Sequence, residues 1–166
     1  LLNSGTAWGA VNAGLLLIAT QPDAQTIGLS LMAGQGAGLL AGGGLFALHP
    51  TAGQVGLANS GGQWAGVLTG LVLAASRSGA DDREVAIALL AAADAGIAGG
   101  AYLASRWSQV SRAQTLVIDA GGIVGAVGGG SLGVVISGNF SDRTTPALAA
   151  VGAVIGLGAS AYLTRN

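Results

Sequence analysis

From residue 24 to residue 76 the chain runs for 53 residues with His49 as its one ionisable side chain. A water-soluble surface of that length would carry many charges, because soluble domains are about a quarter charged. Lipid can solvate such a stretch instead: a helix needs about 20 mostly apolar residues to cross a hydrocarbon layer of about 30 Å. The same character extends over the whole chain, where 8% of 166 residues are charged, 51% are hydrophobic and 31 are glycine.

Turn and helix-ending signals divide the chain into six apolar segments, roughly 1–20, 27–48, 54–76, 85–105, 113–137 and 145–164. The breaks are Gln21-Pro22-Asp23, His49-Pro50 and the stretches 77–84, 106–112 and 139–146, all rich in residues that stop helices or open turns. A membrane β-barrel is excluded by composition. Aromatics are 4% of the chain, whereas barrels carry aromatic girdles and strands of about ten strictly alternating residues. In lipid the backbone must then satisfy itself within each helix. The expected fold is all-α: a single polytopic membrane bundle, 1–166, of six transmembrane helices.

The chain also resembles itself. Asn3-Ser4-Gly5 with Trp8 recurs 56 residues later as Asn59-Ser60-Gly61 with Trp64, and 60 residues further on as Asp119-Ala120-Gly121 with Val124. Phe46, Tyr102 and Tyr162 keep spacings of 56 and 60, and Gln54 precedes Gln114 by 60. One four-residue insertion between Tyr102 and Gln114 reconciles them, giving three tandem helical hairpins over 1–53, 54–113 and 114–166. Copies with an even number of helices enter the membrane from one side and are related by an axis along its normal, which allows a pseudo-threefold arrangement. Arginines divide three and three between the two sides, so the positive-inside rule assigns no orientation.

Glycines recur every fourth residue at Gly34, Gly38 and Gly42, at Gly62, Gly66 and Gly70, and at Gly121, Gly125, Gly129 and Gly133. That spacing lines one helix face with small residues, and membrane helices use such faces to bring backbones close. Tight packing is expected there, with an oligomerisation surface as the rival reading. Trp8 and Trp64 are expected to fill space against glycines. Phe46, Tyr102, Trp107 and Tyr162 are expected to anchor helix ends at the interface.

Asp94 stands twelve residues from Asp82 and twelve from Arg106, about 18 Å each way at 1.5 Å per residue. A carboxyl at that depth is costly and marks a functional-site hypothesis. It is expected to face other helices, either protonated or beside a polar cavity. Asn12, Gln35, Thr69 and Ser131 fall at similar depth as partners, and the five together form a candidate ion or proton path. By the spacings above, the counterparts of Asp94 are Gly38 and Val154. Asp119, counterpart of Asn3 and Asn59, is expected to cap its helix or accept a bond from a preceding loop.

Other chemistries lack residues. No cysteine is present and histidine occurs once, which leaves no thiolate centre, no metal site and no nucleophile–histidine–acid triad. A net charge of −1 offers no field for nucleic acid. No cofactor is expected, and Leu1 in place of methionine is expected to mark a processed or partial chain. The Gln21-Pro22-Asp23-Ala24 turn looks superficially like the hairpin loop of rotary-ATPase proteolipid subunits. The mid-membrane acid lies in a different hairpin, however, and the Pro-x-acid-x-x-base signature of mitochondrial-type carriers is absent, so no family is assigned. The expected role is non-enzymatic: a structural or assembly subunit contacting the lipid bilayer and other membrane subunits or itself. The alternative is a small channel or transporter using Asp94.

Overall fold

The computed structural model describes residues 1–76, 79–107 and 109–165. Among them are six α-helices and no strand: α1 (Leu2–Thr20), α2 (Ala24–Leu45), α3 (Ala52–Ser76), α4 (Asp82–Arg106), α5 (Arg112–Ser137) and α6 (Thr144–Leu163). A turn of 3-10 helix, Phe46–Leu48, prolongs α2. Four of the helices, α2, α4, α5 and α6, are long and apolar enough to cross a membrane. α1 and α3 have sufficient length, 19 and 25 residues, but fall short in apolarity. The cause is their polar side chains, Asn3 and Asn12 on α1 and Gln54, Asn59 and Gln63 on α3.

Side chains set four of the helix starts. Asp23 accepts from the Thr26 backbone N–H at 2.9 Å. Reciprocal pairs of bonds join Thr51 to Gln54, Asp81 to Glu84 and Ser111 to Gln114, each satisfying N–H groups that the first helical turn leaves open. α5 ends at Gly138 in the left-handed region, φ 76°, where a residue without Cβ is unstrained.

The helices pair as antiparallel neighbours, α1 with α2, α3 with α4 and α5 with α6. In each pair backbone meets backbone. A Cβ built on Gly5 would lie 2.1 Å from the Gly38 carbonyl oxygen, one on Gly61 2.3 Å from that of Gly96, and one on Gly125 2.0 Å from that of Gly152. No side chain fits in those gaps. Gly34, Gly38 and Gly42 all face α1, and Gly121, Gly125, Gly129 and Gly133 all face α6. In α3 the close approach is made by Gly61 rather than by the Gly62, Gly66 and Gly70 face. Gly66 meets nothing within 4 Å, and Gly70 touches Leu89 only at 4.0 Å.

The glycine contacts of the second helices recur at a spacing of their own. Gly38 meets Gly5 as Gly96 meets Gly61 and as Gly156 meets Gly121, so matched positions on the second helices lie 58 and then 60 apart. The capping residues Asp23 and Asp81 are also 58 apart. The connection between α3 and α4 has five residues and that between α1 and α2 has three.

The three pairs form an open row. Among the described residues α1 packs on α4, and α3 packs on α5 and α6, but no extensive face joins α1 or α2 to α5 or α6. A closed pseudo-threefold arrangement is not formed. Most buried apolar side chains are alanines, such as Ala13, Ala86, Ala93, Ala104 and Ala153, with Leu57, Val110 and Ile118 beside them, while many large aliphatic ones lie outside, among them Leu40 and Val135 at 77% and 79% exposed. Trp107, just past the end of α4, packs against Leu57, Ala104 and Val110.

Candidate functional site

The polar side chains of the helical segments meet where neighbouring pairs join. At the first seam the Trp8 indole N–H donates to the Asn59 carboxamide oxygen at 3.0 Å, and the Asn59 amide nitrogen donates to the Ser4 hydroxyl. The Trp8 ring lies over Gly62, where an added Cβ would come within 2.8 Å of it. At the second seam the Trp64 indole N–H and the Ser60 hydroxyl both donate to one Asp119 oxygen, and the Trp64 ring covers Gly122. Both tryptophans thus lie against glycines, as their spacing suggested. Their N–H bonds were not anticipated, and Asp119 serves α3 rather than a cap or a preceding loop. A tryptophan one turn after a serine, with an amide or acid at the matching place in the next copy, was the available signal.

Deeper in the first seam, the Asn12 amide nitrogen on α1 donates to Asp94 Oδ1 on α4 at 3.1 Å. The Asn12 carbonyl oxygen is buried and has no hydrogen-bond partner, a state that costs free energy when no water reaches it. Asp94 meets α1 through this bond and is otherwise exposed on the surface of this chain. Ala93 is the buried residue at this level of α4, 4% exposed, and one residue on, about 100° further around a helix, Asp94 reaches only the rim of the seam.

The remaining members of the expected path are not brought together. Gln35 on α2 and Ser131 on α5 are exposed, Thr69 on α3 is half-buried, and none of the three bonds to Asp94 or Asn12. A groove of about 1040 Å³ runs over α1 between α2 and the α3–α4 pair. Trp8, Asn12, Asn59 and Ile97 line it, with Gly34 and Gly38 on the opposite wall. Its walls are otherwise mostly apolar, and Asp94 does not line it.

Two further bonds tie helix starts to helix ends. The Gln54 amide donates to the Ala104 carbonyl at 3.3 Å and the Gln114 amide to the Thr164 carbonyl at 2.6 Å. Each glutamine closes a capping pair with its carbonyl oxygen and leaves its amide for the neighbouring helix. Near the ends of α4 and α2 the Arg106 guanidinium stacks on the Tyr102 ring at 5.3 Å and Phe46 meets His49 edge-on at 6.3 Å. No protein-family model, no curated protein and no solved structure matches this chain.

Proposed function

We propose that the chain is an integral membrane structural or assembly subunit whose six helices cross the bilayer as three tandem copies of one hairpin. The supporting observation is the division of side chains. Polar groups of α1 and α3 bond across the seams, while large aliphatic groups line the outside. The lower apolarity of α1 and α3 suits this reading, because interhelical bonds compensate polar groups that lipid cannot. Backbone contact at glycines supplies dispersion and weak Cα–H···O contacts in place of a hydrophobic core. The connections are too short to hold a catalytic domain, so the role is that of a packed scaffold. Alkaline carbonate washing of vesicles tests it: the chain should remain in the bilayer, with thiol reagents reaching cysteines placed in the connections and not those placed at Leu40 or Val135. Release into the wash would refute the reading.

A second reading, ion or proton transfer through Asp94, is favoured by one observation, the Asn12 contact with its unpartnered carbonyl oxygen. Asp94→Asn separates the two. A scaffold keeps its assembly, because an amide can replace one bond of the acid, whereas a conducting protein loses flux across reconstituted vesicles with its fold intact.

A further inference from the structure

Each seam in the row has a direction. The preceding pair offers a ridge on its first helix, and the following pair offers a socket made by both of its helices. Trp8 of α1 and Ile97 of α4 both lie against Gly62 of α3, and Trp64 of α3 and Leu157 of α6 both lie against Gly122 of α5. Head-to-tail contacts in an open row leave one socket and one ridge unfilled at its ends. By the register of the two filled seams, the empty socket is Thr6 on α1 with Leu39 on α2, beside Asn3. The empty ridge centres on Val124 of α5, with Ala120 one turn before it. Leu39 is 46% and Val124 72% exposed.

The two end surfaces match in size. In both filled seams the ridge is tryptophan and the socket glycine. At the ends the ridge is the smaller valine and the socket the larger threonine. The second wall is a branched aliphatic residue throughout, Ile97, Leu157 and Leu39. The Thr6 hydroxyl already donates its proton to the Leu2 carbonyl at 3.0 Å, which leaves its methyl to pack and only acceptor lone pairs that an apolar ridge does not use.

We propose that a second copy of this chain seats its Val124 ridge in the Thr6–Leu39 socket and continues the row head to tail. The proposal deepens the assembly reading above and rests on it. Ala120 and Val124 carry no side-chain donor or acceptor for Asn3, whereas Ser4, Trp8, Ser60 and Trp64 bond Asn59 and Asp119. The joint between copies therefore holds by packing alone and is weaker than the seams within the chain.

The chain lacks cysteine, so introduced thiols report without background. Thr6→Cys and Val124→Cys chains, mixed in phosphatidylcholine vesicles and oxidised by oxygen with copper phenanthroline, which enters the bilayer, should form disulfide-linked dimers that neither chain forms alone. The doubly substituted chain should give a ladder. A chain carrying Asn12→Cys and Asp94→Cys reports the filled seam by an internal link. Val124→Trp, too large for a socket closed by Thr6, should reduce the dimer fraction several-fold on sizing, and adding Thr6→Gly should restore it. Absence of the mixed link while the internal link forms would overturn the second-copy joint and leave the membrane reading standing. A Thr6–Val124 link confined to monomers would overturn it by closing the row into a ring. Release of the chain by alkaline carbonate would overturn both.

Discussion

Contacts within a helix pair and contacts between pairs are built from different chemistry. Within a pair, glycines set carbonyl oxygens against the facing backbone, and Gly5 with Gly38 or Gly125 with Gly152 leave no room for a methyl group. Between pairs, indole, carboxamide, hydroxyl and carboxyl groups bond across a wider gap. The first kind gains by proximity and tolerates no added volume. The second gains by direction, since a donor must find its acceptor, and it sets which pair follows which. The two seams show this in their hydroxyl groups. Asn59 donates to Ser4, but at the second seam Ser60 donates to Asp119, because a carboxyl oxygen accepts where an amide nitrogen must give.

The largest effect should come from adding volume within a pair. Gly125→Leu places a side chain where even Cβ meets backbone, and backbone cannot yield without parting α5 from α6. The expected loss exceeds about 3 kcal/mol, above the usual cost of overpacking. Gly66→Leu, where an added Cβ meets nothing within 4 Å, should change stability by about 0.5 kcal/mol or less. Unfolding in mixed micelles by added dodecyl sulfate measures both, and equal losses would break the comparison. Next come the tryptophans. Trp8→Ala and Trp64→Ala should each cost about 3 kcal/mol, the usual lower bound for emptying such a site. Hydrogen exchange should quicken along the affected seam while the glycine-lined pairs stay protected. Loss of protection throughout would mean that seams and pairs form one cooperative unit.

Smaller effects sharpen the second seam. Asp119→Asn keeps an acceptor for the Trp64 N–H and can turn its amide toward Ser60 as Asn59 does toward Ser4, so the loss should be under about 1 kcal/mol. Asp119→Leu strands both donors and should cost about 2 kcal/mol, within the range for unsatisfied polar groups. The same micelle titration decides between them, and a larger loss for Asn than for Leu would contradict the bonding described.

Helix existence was legible from charge-free runs and turn residues, since both follow from local chemistry. Hairpin register was less so. Phe46, Tyr102 and Tyr162 recur at matching intervals, yet they lie at exposed helix ends where a two-residue drift costs nothing. The half-buried glycines Gly38, Gly96 and Gly156 meet backbone, where drift is not free, and they recur at 58 and 60 instead. Asn12 as partner of Asp94 followed from equal depth on two helices, but depth says nothing of azimuth. Hence Gln35, Thr69 and Ser131, at the same depth, point elsewhere, and Asp94 itself reaches only a rim. The four-residue rule placed glycine faces well in α2 and α5. In α3 two adjacent glycines, Gly61 and Gly62, start different faces, and only three-dimensional packing sets the first against the α4 backbone and the second against the Ile97 and Trp8 side chains.

The smallest effect lies outside both kinds of contact, at the turn before α2. The Asp23 carboxyl accepts from the backbone N–H and the hydroxyl of Thr26, and these bonds hold its pKa below the ordinary 3.8. A carboxyl whose folded pKa is depressed stabilises the fold at pH above its unfolded value and loses that contribution as pH falls through the folded one. Its benefit should therefore be complete above about pH 5 and fade as pH falls from about 4 through the lowered value. Because Asp23 is fully exposed, the change should be confined to fraying of the first turn of α2, leaving the Gly5–Gly38 contact closed. Amide exchange at residues 26–28, corrected for intrinsic rates, should quicken on acidification in the native chain. Asp23→Asn, which still caps the helix but does not titrate, should abolish that pH dependence. Opening of the α1–α2 contact in the same pH range would show instead that the turn and the glycine face are coupled.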